Sequence, residues 1–150
     1  MNKPTHNPLA ASRRKARHYG MQALYQWQMA GASLGDIEIE FRTDYDFSRV
    51  DLEYFQALLH GVPAHLDTLE DLLTPLLDRK LDDLDPIELS LLRLGMFELV
   101  ERIDVPYKVV INEAVALAKK FGATDSHKYI NGVLDKAARQ IRKVEVDAAS

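Results

Sequence analysis

Asp85-Pro86-Ile87-Glu88, continued by Leu89-Ser90-Leu91-Leu92-Arg93-Leu94-Gly95-Met96-Phe97-Glu98-Leu99-Val100, is the stretch that decides the fold. A side-chain acceptor, a proline at the first helical position and an acid three residues past the cap together open a helix. The run from Leu89 onward is apolar nearly all round, not along one stripe, so this helix is expected to be the central, buried one. Outward from it, helical spacing dominates in both directions.

Toward the C-terminus, Asp104-Val105-Pro106 reads as a connection. Val110, Ala114, Leu117, Ala118 and Phe121 then share one face, with Asn112, Glu113, Ala116, Lys119 and Lys120 opposite. Gly122 is expected to supply a left-handed stop. Asp125 is expected to cap a last helix that buries Ile130, Val133, Leu134, Ala137 and Ile141, and residues 145–150 to form a frayed tail. Toward the N-terminus, a helix over residues 64–77 buries Leu66, Leu69, Leu73 and Leu76. Pro75 lacks an N–H, so that helix kinks there or restarts with Thr74 as its cap. Before it, Asp51 caps a helix with Leu52, Phe55, Leu59 and Val62 on one face, stopped by Gly61 and Pro63. A weaker helix over residues 34–42 precedes a polar loop over 45–49. The first helix is expected to run from Ser12, as N-cap, to about Ala30, where Gly31 ends it; its buried stripe is Ala16, Gly20, Ala23, Leu24 and Trp27. Residues 1–11 carry two prolines and no periodicity and read as a flexible tail. The expectation is an all-α protein of about seven helices, with one domain over residues 12–144 and no strand pattern or repeat.

Composition narrows the function. Hydrophobic residues make up 47% of 150, enough for a real core and too many for a largely disordered chain. No apolar run approaches the roughly 20 residues that span a bilayer, and none near the N-terminus has signal-peptide length. The chain has no cysteine, which removes disulfides and thiolate chemistry. A cytoplasmic address, with no membrane partner, fits these features. The net charge of −4 hides an asymmetry: residues 1–20 carry +5 and no acid, and the remainder −9. An acidic body with a basic N-terminal arm suits a local anionic target such as nucleic acid.

That arm is Ser12-Arg13-Arg14-Lys15-Ala16-Arg17, with Arg13 and Arg17 on one helical face and Arg14 beside them. Cations at a helix N-terminus oppose the macrodipole, so helix stability does not explain them. A phosphate backbone would use their charge and their forked donors. A solvated basic face is the bland alternative. The five histidines, His6, His18, His60, His65 and His127, show no metal-ligand spacing, and nothing marks a nucleophile elbow or a glycine-rich phosphate loop. No catalytic residue, metal site or cofactor is expected. Trp27, Phe55, Phe97 and Phe121 fall on buried stripes. Tyr129, beside Lys128 in the first turn of the last helix, could instead stack on a base.

These stretches also carry a resemblance. Arg13-Arg14-Lys15-Ala16-Arg17 through Gln22-Ala23-Leu24-Tyr25-Gln26-Trp27 resembles the start of the NusB family of bacterial transcription antitermination factors. Leu84 to Glu88 and Leu92 to Leu99 resemble its central helix. The most specific match is Asp104-Val105-Pro106-Tyr107-Lys108-Val109-Val110-Ile111-Asn112-Glu113-Ala114, with 118–122 and 125–135 beyond it. The resemblance implies an all-helical fold of two packed helical subdomains. It implies binding to single-stranded boxA RNA of ribosomal-operon leaders, together with ribosomal protein NusE, and delivery of both to the RNA polymerase antitermination complex. By matching position, it places Arg13, Arg14, Lys15, Arg17 and Tyr129 at RNA, Asp125 beside the RNA surface, and Tyr25, Asp82 and Glu88 toward NusE. Glu88 is also the capping-box acid of its own helix, and Lys15 stands where arginine is common in the family.

Two rival readings compete with this one. A helical protein-binding or ribosome-assembly adaptor would use the arm for solubility alone. An RNA cytosine methyltransferase can carry a domain of this kind, but would need a catalytic domain with a cofactor site as well. A homodimer is a further expectation, because an apolar partner face left vacant tends to self-associate.

Overall fold

The computed structural model describes residues 8–149, and among them every regular element is helical. The helices are α1 (Pro8–Ala30), α2 (Leu34–Asp44), α3 (Leu52–Ala64), α4 (Leu66–Leu73), α5 (Pro86–Glu101), α6 (Tyr107–Phe121), α7 (Ser126–Ile141) and α8 (Lys143–Ala148), with 3-10 turns at Thr74–Leu76 and Leu81–Asp83. Lys3, His6 and most of the expected N-terminal tail lie outside the described residues. The chain divides into two compact units, one through Leu59 and one from His60.

In the first unit α1 packs with α2. Ala16, Met21, Ala23 and Leu24 are buried with Ile37, Phe41, Tyr54, Phe55 and Leu58. The helix starts at Pro8, so Ser12 is not its N-cap; it lies inside α1 and its hydroxyl donates to the Leu9 carbonyl. Gly31 does end the helix, at φ +67, the left-handed conformation that glycine adopts without a Cβ penalty. Trp27 is only half-buried, because the stripe drifts out of the core in the last turns. Ser33 caps α2 by accepting from the Asp36 N–H, and Asp51 caps α3 by accepting from the Tyr54 N–H. The expected polar loop before α3 is anchored by rings: Tyr19 stacks on Phe47, and Phe47 meets Phe55 edge-on.

In the second unit α5 is central, packed by α4, α6 and α7, and every residue from Ser90 to Leu99 is buried. Gly61 and Pro63 do not stop α3, which continues to Ala64. Gly61 is instead a close-approach residue, since a Cβ there would meet the Phe97 ring. The expected single helix over residues 64–77 is α4 plus a 3-10 turn at Pro75; Thr74 donates to the Glu70 carbonyl, so its hydroxyl closes α4 and does not cap the turn. Gly122 does not take a left-handed φ (it is extended, at φ −89 and ψ 176). Glycine is needed there because a Cβ would lie 2.8 Å from the Ala118 carbonyl oxygen and 2.9 Å from Ser126 Cβ.

The C-terminal end is more ordered than a frayed tail. Residues 143–148 form α8, and Glu145 accepts the Tyr107 N–H at 2.8 Å, capping α6 from 38 residues away. Burial alone would raise the Glu145 pKa, but the Tyr107 N–H and the Arg142 guanidinium outweigh it and hold it below the ordinary 4.5. A depressed folded pKa stabilises the fold fully above the unfolded value and loses that contribution as pH falls through the folded one. Glu145→Gln is therefore expected to flatten the acid side of the stability profile. Denaturant midpoints at about pH 6 and about pH 3 should fall less in the variant than in the parent; an equal fall would remove Glu145 from the acid response.

Candidate nucleic-acid interface

The basic arm occupies the second and third turns of α1, inside the first unit, and helical geometry sorts its four cations. Arg17 is buried, 3% exposed, and Arg13 is half-buried. Their guanidinium carbons sit 5.3 Å and 4.6 Å from the centre of the Tyr54 ring, and Arg13 Nε is 3.6 Å from Asp51 Oδ2. These two arginines tie α1 to the start of α3 through cation–π contacts. Arg14 and Lys15 lie on the outer face and are exposed. Lys15 also lines an open depression of about 610 Å³ with Ser12, Ser48, Arg49 and Asp51. The arm is therefore two layers: an inner pair that holds the turn and an outer pair that presents charge.

The second unit gathers several of the remaining residues at the head of α7. Tyr129, Asp125 and Glu88 line one open cleft of about 480 Å³ with Arg79, Thr124 and Ser126. Asp125 stands at the N-cap position but its side chain caps nothing; it is exposed and pairs with Lys128 at 3.4 Å. Glu88 is 8% exposed and accepts the Ser126 hydroxyl at 2.8 Å. The expected capping box is thus not closed: Asp85 accepts from the Ile87 and Glu88 N–H groups, while the Glu88 carboxylate ties α5 to α7. Asp82 is exposed on the second 3-10 turn, and Tyr25 is half-buried on α1 in the first unit.

Arg79 is a residue of this cleft that the sequence did not single out. Its guanidinium lies 4.4 Å from the centre of the Tyr129 ring. It also makes a forked pair with Asp78, Nε to Oδ1 at 2.7 Å and Nη2 to Oδ2 at 3.2 Å. That hydrogen-bonded pair lowers the Asp78 pKa and raises that of Arg79. Burial first, and the Asp78 carboxylate second, push the Tyr129 phenol above its ordinary 10.0. The one hint in the sequence is Asp78-Arg79-Lys80 directly after the proline-broken segment, where no periodicity points at any side chain. Among the described residues no cluster of histidines and acids could hold a metal ion, and no helix is long and apolar enough to cross a membrane.

The fold and these features define a class: an all-helical protein with an exposed cationic turn in one unit and, in the other, a cleft that pairs an aromatic ring with a guanidinium. Comparison with known proteins is more particular. The NusB family model matches residues 14–139. A curated relative from Alcanivorax borkumensis, "Transcription antitermination protein NusB", is 57% identical over 97% of this chain and 95% of its own length. One from Hahella chejuensis, of the same name, is 59% identical over 91% and 92%. Among solved structures, T. maritima NusB is similar with TM-score 0.73 at 28% identity, covering 93% of this chain and 94% of its own. A chain of the structure described as "Crystal Structure of a Plectonemic RNA Supercoil" is similar with TM-score 0.76 at 25% identity, over 85% of this chain and 94% of its own. The chain belongs to the NusB family.

Proposed function

We propose that this chain is a transcription antitermination factor that binds single-stranded boxA RNA of ribosomal-operon leaders. Ribosomal protein NusE is its co-ligand, and RNA polymerase is the destination of the complex. The observation that carries the reading is the cleft at the head of α7, where an aromatic ring, a guanidinium and two carboxylates stand together. Unpaired bases offer faces for stacking and edges for hydrogen bonding that an A-form duplex hides. Family membership supports the same reading, as do relatives named for antitermination. In this reading Arg14 and Lys15 meet phosphates, Arg13 and Arg17 hold the turn that presents them, and Tyr129 with Asp125 meets bases. Tyr25, Asp82 and Glu88 face NusE, with Glu88 acting largely through Ser126.

The test is fluorescence anisotropy of a boxA-like strand against a scrambled one, with and without NusE, at two salt concentrations. Selective binding that NusE strengthens is expected. Equal and salt-fragile binding to both strands would reduce the arm to a generic polycation and overturn the reading. Arg14→Ala combined with Lys15→Ala is expected to weaken binding about tenfold and to lower the salt slope by about 1.4, from about 0.7 per phosphate contact on single strands. Both side chains are exposed, so the melting temperature should hold. Unchanged affinity and slope would move the phosphate contacts elsewhere.

A further inference from the structure

The Arg79–Tyr129 stack already has the form of a recognition surface with one layer missing. Tyr129 presents a ring, but the Arg79 guanidinium covers one face of it at 4.4 Å. Asp78 grips that guanidinium through Nε and Nη2, which fixes its plane, while Nη1 makes no hydrogen bond among the described residues. A planar, weakly hydrated guanidinium stacks on π-faces on either side. Charge in the cleft argues for a base over a phosphate as the next layer. Asp125 and Glu88 line the cleft and Asp78 is bound to Arg79, three acids against the cations Arg79 and Lys128, each of which is already paired with one of them, a field that does not favour a phosphate. The exposed Asp125 carboxylate is an acceptor for the amino groups on base edges.

We propose that an unpaired nucleobase of the bound strand lies flat on the Arg79 guanidinium, making a base–Arg79–Tyr129 stack in which Asp78 is the positioning residue. The inference rests on the RNA reading of the same cleft. Tyr129 is then the inner support, not the surface the base touches. The Nη1 donors are left for an acceptor on that base or its neighbour.

The test uses the full chain and a boxA-like strand carrying 2-aminopurine at each position in turn. Wild type is expected to quench one position on binding. Arg79→Lys keeps the charge and loses the plane; it is expected to lose that quench and to bind about tenfold more weakly at an unchanged salt slope. Asp78→Asn should weaken the quench with a smaller loss of affinity, because the guanidinium is no longer clamped. The Arg79 side chain is 43% exposed, so thermal melts of the variants should match wild type. If Arg79→Lys binds and quenches as wild type does while Arg79→Ala lowers the salt slope, Arg79 is a phosphate contact and the proposal is overturned. Loss of NusE binding with RNA binding intact would overturn it in favour of a protein contact. A wild-type chain that fails to select the boxA-like strand would overturn the functional reading itself, a result distinct from any of these.

Discussion

Arg142→Met lowers stability by about 3–5 kcal/mol, a loss that denaturant titration should register as a lower midpoint at unchanged slope. Arg142 is 5% exposed, at the junction of α7 and α8. Its Nε donates to the Leu99 carbonyl at 2.8 Å, Nη1 to Val105 at 3.0 Å, and Nη2 to Glu98 at 3.2 Å and Arg102 at 3.0 Å. Helix ends leave carbonyls without intrahelical partners. The Glu98 and Arg102 carbonyls also accept from the Arg102 and Val105 N–H groups, so Leu99 and Val105 are the carbonyls that depend on this side chain. It also puts a cation at the negative end of the helix dipole and pairs with Glu145 at 2.6 Å. Methionine fills much of the space but leaves the Leu99 and Val105 carbonyls bare, each costing about 1–3 kcal/mol before water enters. Arg142→Lys should be intermediate, since an ammonium keeps the charge without the planar fork. A methionine variant within about 0.5 kcal/mol of wild type would mean that water caps α5 equally well.

Phe97→Ala is the second large effect, expected to cost about 3–5 kcal/mol through lost burial and the cavity left behind. Phe97 is 5% exposed on the central helix and rests on Gly61 of α3, where a Cβ would lie 2.6 Å from the ring's Cε1 and closer still to Cζ. Gly61→Ala in wild type sets a helix-propensity gain of about 1 kcal/mol against overpacking of about 1–3 kcal/mol, so it destabilises. With Phe97→Ala present the obstruction is gone, and the same alanine becomes stabilising by about 1 kcal/mol. The change of sign is the informative result, read as a coupling energy in a double-mutant cycle. Additive costs would mean that helix and ring move apart independently.

Both effects bear on how much of the site could be read from the sequence. The cationic turn and Tyr129 could be nominated as candidates from the sequence because residue type and helical phase suffice for that. Which cations face outward was not, since Arg13 and Arg17 are drawn inward by Tyr54 and Asp51, residues some 40 positions away. Arg79 was invisible for a related reason: it sits in an irregular connection, and its meaning comes from a ring 50 residues further on. Glu88 shows the same effect in reverse. Local pattern assigned it to a capping box, but Ser126, delivered by a distant helix, takes its carboxylate instead.

Sequence alone was enough for the all-α class, the central place of α5, the cap at Asp85 and the helix end at Gly31. Each depends on interactions within a few residues, or on a periodicity that burial imposes along one helix. The left-handed conformation expected at Gly122 is found at Gly31 instead. Tertiary packing was needed to explain why Gly61 and Gly122 are glycines and what caps the end of α5 and the start of α6. It also chose the side chains that share the cleft with Tyr129. Those outcomes depend on close approach between segments far apart in the chain. Helical phase says which way a side chain faces, but only packing brings its partner within reach.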